Sequence, residues 1–511
     1  MFKINTPSQS IRFFIISLFI ILNSNAQQVT KGPYLMVPSD HKMTIRWETD
    51  AKFEGNLIFG KKNKLNKSAA TKLRGIKEGF YLYEATLENL HACSIYKYQI
   101  KINDSTPKIH HFKTNCSRKD IFSFVATGDS RSNPEIFSKV IENVVKDKPD
   151  IIISMGDLVE TGGDFDQWNE FYFSVAKDLI DQVPHISTLG DHETNGDNGI
   201  LFDHFMGHGN NFEKQWFSFD YANAHFISLD YRHPDSKEML KWFINDITKS
   251  KAKWKFVYFH RPVYNFGGHR SMWGQDSWAE LFHKYKVDIV FAGHSHIYER
   301  FLPVVNKDVP NSWPVTYITT GGSGAGLYDV SKSDLLAVAE SVNHYIDIKI
   351  DHDKLKLVAY RNDGSMLDHL EIIKKHQKHN KDYLDKSIDE NGLKLESMFR
   401  KKISFTLDYI PFRNYAAPVE IEFKSPVDQD ISFKVELLDN STQNYKMEPV
   451  LGVLKKHESL TFKINVFSKT TIKVGGWGSV EPDLRLKLTY QYKGKEYIIF
   501  GGAANYWPDA Y

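Results

Sequence analysis

Cysteine is scarce: Cys93 and Cys116 are the only two in 511 residues, so the chain can close at most one internal disulfide. Charge of one sign is lacking too. The 65 lysines and arginines nearly balance the 63 aspartates and glutamates. A net charge of +2 gives no reason to expect nucleic acid or an acidic membrane surface as partner. Beyond residue 22 no apolar run is long enough to cross a bilayer. No internal repeat occurs. No Gly-Lys-Ser/Thr follows the glycine-rich run Gly321 to Gly326, which excludes a nucleotide P-loop and leaves a tight turn. What is present is ordinary for a globular chain, 41% apolar and 25% charged, with room for about three domains. Aromatic residues, at 14%, favour β-rich domains and a sugar- or matrix-facing surface.

Lys3 and Arg12 precede the apolar run Phe13 to Leu22, and Ser24 and Ala26 are small. This is the pattern of a secretory signal peptide, cleaved after Ala26, which predicts an exported protein: periplasmic, on the outer surface, or secreted. No cysteine follows the run, which argues against a lipid anchor, and no transmembrane segment is expected after cleavage. Disulfides persist in such a compartment. Ser94 to Ile102 and Pro107 to Asn115 read as strands around Asn103-Asp104-Ser105-Thr106. A two-residue turn at Asp104-Ser105 would set Cys93 directly opposite Cys116, so a cross-strand disulfide is predicted.

The pattern divides the chain into an all-β region at 27–118, a layered α/β region at 119–373, a polar linker at 374–394 and a second β-sandwich at 395–511. In the first, Met43 to Trp47 and Tyr96 to Ile100 alternate apolar with polar residues, as in a small β-sandwich. In the second, strands at Ile121 to Ala126, Ile151 to Ser154, His185 to Leu189, Trp254 to Phe259 and Ile289 to Ala292 alternate with helical stretches. One of these begins at Asn133-Pro134, a cap followed by the stripe Phe137, Val140, Ile141 and Val144. The linker's His376 and His379 are expected to face solvent. Beyond it, alternation at Ile403, Phe405 and Leu407, at Ile431 to Val435 and at Leu484 to Leu488 marks strands, and Lys493-Gly494-Lys495 a hairpin turn.

The five α/β strands end alike. In order they give Gly128-Asp129-Ser130-Arg131, Gly156-Asp157, Gly190-Asp191-His192-Glu193, His260-Arg261-Pro262 and Gly293-His294-Ser295-His296. Alternate side chains at a strand end point the same way, so His294 and His296 can share a crevice. Three Gly-Asp pairs and three histidines are expected at one edge of a single sheet. Carboxylate plus imidazole is ligand chemistry for Fe, Zn or Mn. Six ligands exceed the four that one Zn usually takes, but suit two metal ions sharing an aspartate.

This series resembles the calcineurin-like metallophosphoesterases. Gly293 to Arg300 and Thr319-Thr320-Gly321-Gly322-Ser323-Gly324 look like the purple acid phosphatase branch. Lys31-Gly32-Pro33-Tyr34-Leu35 and Met43 to Trp47 resemble its fibronectin type III-like domain. The resemblance covers roughly 27 to 372. It implies two divalent or trivalent metal ions, one bound by Asp129 and His296, the other by Asp191, His260 and His294, with Asp157 bridging. It implies that His192, oriented by Glu193, stabilises the transition state or protonates the leaving oxygen, and that His269 contacts substrate. The implied reaction is attack of metal-bound hydroxide on a small-molecule or polymer-borne phosphomonoester. A diester is the nearer alternative, and a catalytically degenerate glycan- or surface-binding protein the more distant one.

Three positions depart from the family. Asp191 stands where asparagine is usual, adding negative charge beside an anionic substrate. Glu160 replaces the tyrosine of the purple enzymes, so no purple colour is expected. Arg131 stands where the other common design has histidine. The first metal is then short of a ligand unless Glu160 supplies one, and the planar fork of Arg131 is assigned to substrate phosphate.

Overall fold

The computed structural model describes residues 27–503 except 54, 63, 103–107, 118–119, 209–213, 376–377, 405–415 and 475–479. The leader-like residues 1–26, the turn at 103–106, His376, Phe405 and Leu407 lie outside the described residues. No helix among the described residues is long and apolar enough to cross a membrane.

Residues 29–113 form two four-stranded sheets. One core joins them, with Ile45 and Trp47 from the first sheet meeting Phe59, Tyr98 and Phe112 from the second. Cys93 and Cys116 are bonded, with Cα atoms 4.6 Å apart. The register beside them is one residue away from that expected of a turn at Asp104-Ser105: Tyr96 pairs with Phe112 rather than Lys113. Cys93 takes up the difference in a left-handed conformation (φ 54°). This unit docks on the next through Arg46, whose guanidinium donates to the carbonyls of Phe205 and Gly207, each at 2.8 Å.

The site strands are β1 (Ile121–Thr127), β2 (Ile151–Ser154), β3 (His185–Ser187), β4 (Trp254–Phe259) and β5 (Ile289–Ala292). They do not share a single sheet. β1, β2 and β3 are parallel neighbours in one seven-stranded sheet, and β4 and β5 are parallel neighbours in another. Phe124, Ile151 and Ile153 from the first meet Phe256, Ile289 and Phe291 from the second in a common core. The alternate residues Val125 and Ile152 pack with Phe137, Val140 and Val144 of the helix Pro134–Asp147. Val257 and Val290 likewise pack with Met239, Phe243 and Trp278 of the helices Lys237–Lys249 and Gln275–Lys284. β1, β2, β4 and β5 are therefore buried on both faces, which is why they read as largely apolar runs, while the short, buried β3 reads His-Ile-Ser. Such a run records double burial but not which sheet the strand joins.

The described residues of 374–394 do not form a wholly exposed linker. Lys374 is buried, with Nζ 2.9 and 2.8 Å from the two oxygens of buried Asp288. His379 is buried too, its ring 4.2 Å from that of Trp313. A helix, Glu390–Ile403, crosses the expected boundary at 394 and takes Ile403 out of the strand assigned to it. Its Leu395, Met398 and Phe399 share a core with two further sheets, one holding Ile431–Leu437 and the hairpin Leu484–Tyr492/Lys495–Ala503. The hairpin turns at Lys493 and Gly494, both left-handed (φ 49° and 75°).

Candidate metal centre

The C-terminal ends of β1 to β5 converge where the two sheets meet, and the six aspartates and histidines converge with them. Three leave their strands in a left-handed backbone: Asp129 (φ 56°), Asp157 (φ 56°) and His294 (φ 67°). For residues with a Cβ this costs on the order of 1–3 kcal/mol each, and such strain concentrates at functional sites. Glycine is required beside them. Gly156 is itself left-handed (φ 85°), and a Cβ on Gly293 would stand 2.4 Å from Asp129 Oδ2. The run Gly321 to Gly326 lies against the same aspartate, with Ala325 N–H donating to the Asp129 carbonyl at 2.9 Å.

Two sets of side chains bring ligand atoms within 4.8 Å of one another: Asp191 with His260 and His294, and Asp129 with Asp157 and His260. His260 tests whether they fit a cation. Its Nδ1 lies 2.8 Å from the Met155 carbonyl, which can only accept, so Nδ1 carries the hydrogen. Nε2 is buried with no hydrogen-bond partner, 3.4 Å from Asp157 Oδ1 and 3.6 Å from Asp191 Oδ2. Two carboxylates facing one ring nitrogen call for positive charge between them, which a proton on Nε2 or a bound cation would supply. Burial works against charge on this ring, yet Asp157, Asp191 and Asp129 push its pKa up to about 10. The donor set therefore fits a metal ion. Asp191 reports the same demand: burial opposes its charge, but His260 and His294 hold it well below the usual carboxylate range. His294 Nδ1 is 3.0 Å from Asp191 Oδ2.

The other aspartate and histidine are near but looser. His296 Nε2 lies 3.5 Å from Asp129 Oδ1, and its ring stacks on Tyr328 at 4.3 Å. His294 is stacked in turn on His269, centroids 4.1 Å apart, so the structure brings His269 to the crevice wall. Burial, then the neighbouring His294 and His296, push the His269 pKa down to about 3. Lys401, from the helix Glu390–Ile403, donates to the His269 carbonyl at 3.3 Å.

His192 and Glu193 separate in the structure. His192 sits at the rim with Nδ1 2.6 Å from the Glu160 carbonyl and Nε2 3.9 Å from Asp157 Oδ2. That carbonyl, not Glu193, orients it. Glu193 is wholly buried and accepts from the N–H groups of Asp157 (2.9 Å), Leu158 (2.5 Å) and Gly190 (2.7 Å), tying the ends of β2 and β3 together.

Sequence reasoning missed Arg261. Its Nε lies 3.0 Å from both Asp191 oxygens and its guanidinium 4.7 Å from the Trp273 ring. The extra negative charge at 191 is thus balanced on the spot, and an aspartate replacing a neutral residue was the available signal. Glu299 was also missed. It is buried and accepts from Asn265 Nδ2 and the N–H groups of Phe266 and Gly267, which fixes the loop leading to His269.

Comparison with known proteins agrees with this geometry. Residues 122–298 match the family model described as calcineurin-like phosphoesterase. The chain is 27% identical over 304 residues to a phosphoenolpyruvate phosphatase of Allium cepa, covering 51% of this chain and 62% of that protein. It is 24% identical over 335 residues to a probable inactive purple acid phosphatase of Arabidopsis thaliana, covering 54% of each. The chain thus spans less than two thirds of the length of either relative. In three dimensions it shares its fold with a purple acid phosphatase from yellow lupin (Lupinus luteus) seeds, at a TM-score of 0.59 and 20% identity over 71% of this chain and 76% of that one.

Proposed function

We propose that this chain, whose residues 122–298 form a calcineurin-like phosphoesterase domain of the purple acid phosphatase-like branch, hydrolyses phosphomonoesters at a two-metal centre. The observation that carries the reading is the buried, partnerless Nε2 of His260 facing Asp157 and Asp191. Asp129 and His296 would hold one ion, Asp191, His260 and His294 the other, and Asp157 would serve both. Iron, zinc or manganese suits these donors. When bound, the ions would supply Lewis acidity toward the phosphoryl oxygens and a nucleophile at neutral pH.

The chain's own residues would do the rest. Hydrogen bonding to the Glu160 carbonyl fixes one proton on His192 Nδ1, so Nε2 at the rim would take up a second proton from solvent and pass it to the leaving oxygen. The fork of Arg131 and the ring of His269 border the crevice and are assigned to the phosphate. Arg261 offsets the charge of Asp191, so the added carboxylate need not repel the substrate. We read the two flanking β units as sandwiches around a catalytic domain, and the protein as exported. The leader-like residues 1–26 and the Cys93–Cys116 disulfide support export. The net charge of +2 gives no reason to assign nucleic acid as a substrate, and a small-molecule or polymer-borne ester remains the assignment.

The test is phosphate release after chelator treatment and add-back of Zn, Mn or Fe. Nitrophenyl phosphate is expected to be hydrolysed only with metal restored, and faster than bis-nitrophenyl phosphate. Preference for the diester would make the chain a phosphodiesterase on the same site. One observation favours a degenerate binding protein instead: Arg131 lies against atoms that would hold the first ion. Glycan binding with no turnover under any metal would establish that reading.

A further inference from the structure

The two metal positions of the proposed function, one with His296 and one with His260 and His294, are not in the same state, and the difference lies in their histidines. A carboxylate offers about four lone-pair positions, so it can serve a guanidinium and a metal together. A neutral imidazole nitrogen offers one, so it can serve only one of them. At His260 no cationic side chain covers that nitrogen: Nδ1 is on the Met155 carbonyl, and Nε2 is buried without a hydrogen-bond partner. At His296 it is taken. Nδ1 lies 2.5 Å from the Gly326 carbonyl and so carries the hydrogen, while Nε2 faces Arg131 Nη2 at 3.3 Å. Arg131 also places Nε 3.3 Å from Asp157 Oδ2. Its guanidinium thus covers a donor atom of each of two residues on the first metal position. Arginine cannot release its charge by losing a proton, so it can leave only by moving. The structure provides a berth for that movement. Glu160 accepts from Nη1 at 2.8 Å, and its side chain is 41% exposed at the crevice rim. Arg261 does not block the other position, because its Nε contacts only the carboxylate of Asp191 and leaves His260 Nε2 uncovered.

We propose that the two metal positions are unequal. The position of Asp157, Asp191, His260 and His294 takes a divalent cation tightly. The position of Asp129, Asp157 and His296 is occupied by the Arg131 guanidinium and takes a cation only when that group withdraws toward Glu160. This inference rests on the metal-binding part of the proposed function and adds a competitor, supplied by the chain itself, for one of its two ions. It also gives Arg131 two successive places: on the donors while the position lacks an ion, and over the phosphate once it is filled.

The test is calorimetric titration of the chelator-treated full-length chain with Zn2+, with thermal melts as a check on folding. The wild type is expected to bind one ion per chain tightly and a second at least tenfold more weakly, a gap of about 1.4 kcal/mol. Arg131→Ala and the bulkier Arg131→Gln are each expected to tighten the second ion at least tenfold and leave the first unchanged. Asp191→Ala is expected to remove the tight step and keep the weak one. Two ions of equal affinity in the wild type, or a weak step unmoved by both Arg131 variants, would overturn the proposal, and the wild-type titration decides even where a variant fails to fold. Unequal binding without phosphate release would reject the proposed function alone. Equal binding with release would reject this inference alone.

Discussion

Asp157→Ala is expected to lower kcat/KM for a phosphomonoester by about three to four orders of magnitude at saturating metal, or ~4–5.5 kcal/mol of transition-state stabilisation. Its two oxygens face both proposed metal positions and the rim. Oδ1 accepts from the His192 N–H at 2.9 Å and lies 3.4 Å from His260 Nε2, while Oδ2 lies 3.3 Å from Arg131 Nε. Losing this carboxylate would disconnect both metal positions and free the rim segment that carries His192. Alanine also tolerates the left-handed backbone at 157 less well than aspartate does, so part of the effect would be structural. Asp157→Asn separates the two contributions. Asparagine tolerates that conformation and keeps one oxygen, so the melting temperature should hold while kcat/KM still falls at least a hundredfold. Steady-state kinetics beside a thermal melt measures both. Near wild-type turnover in the asparagine variant would remove Asp157 from the chemistry.

Glu193→Ala is expected to act on stability first. Three buried N–H groups, those of Asp157, Leu158 and Gly190, would lose their acceptor together. At roughly 1–3 kcal/mol for each stranded donor, relieved in part by local relaxation, the cost is about 3–5 kcal/mol. Activity should fall as a consequence, because the same three groups set where Asp157 and Asp191 leave their strands. Glu193→Gln returns an acceptor oxygen but turns an NH2 toward donors, so it should recover little. The measurement is the urea midpoint of the transition that reports the α/β unit. If Glu193 instead only oriented His192, the alanine variant would unfold at the wild-type midpoint and lose only activity.

The strand ends were legible because four of the five join a largely apolar run to a glycine or histidine that leaves the strand abruptly, and the fifth, after His185–Ser187, ends in the same Gly-Asp pair. That combination identified all six candidate ligands and places them together in the fold. Sequence pattern did not reveal that β1 to β3 and β4 to β5 belong to different sheets, because double burial looks the same in either arrangement. Cys93 and Cys116 pair as expected although the register beside them is shifted, since one left-handed residue absorbs a one-residue offset. The segment 374–394 looked solvated because its charges were counted singly. Lys374 is buried on Asp288, 86 positions away in sequence, and composition does not record partners at that distance. The resemblance implied that Glu193 orients its neighbour His192, whereas consecutive residues of the short helix Asp191–Thr194 diverge. Arg261 was readable in principle, since an unexpected carboxylate at 191 calls for a cation nearby.

Metal held by these five strand ends would be visible in anomalous diffraction from crystals grown with Zn2+, recorded on both sides of the zinc edge. The strongest peak is expected within about 2.0–2.3 Å of His260 Nε2 and of a carboxylate oxygen of Asp191. Strong peaks only elsewhere, with His260 Nε2 still without a partner, would contradict metal binding there.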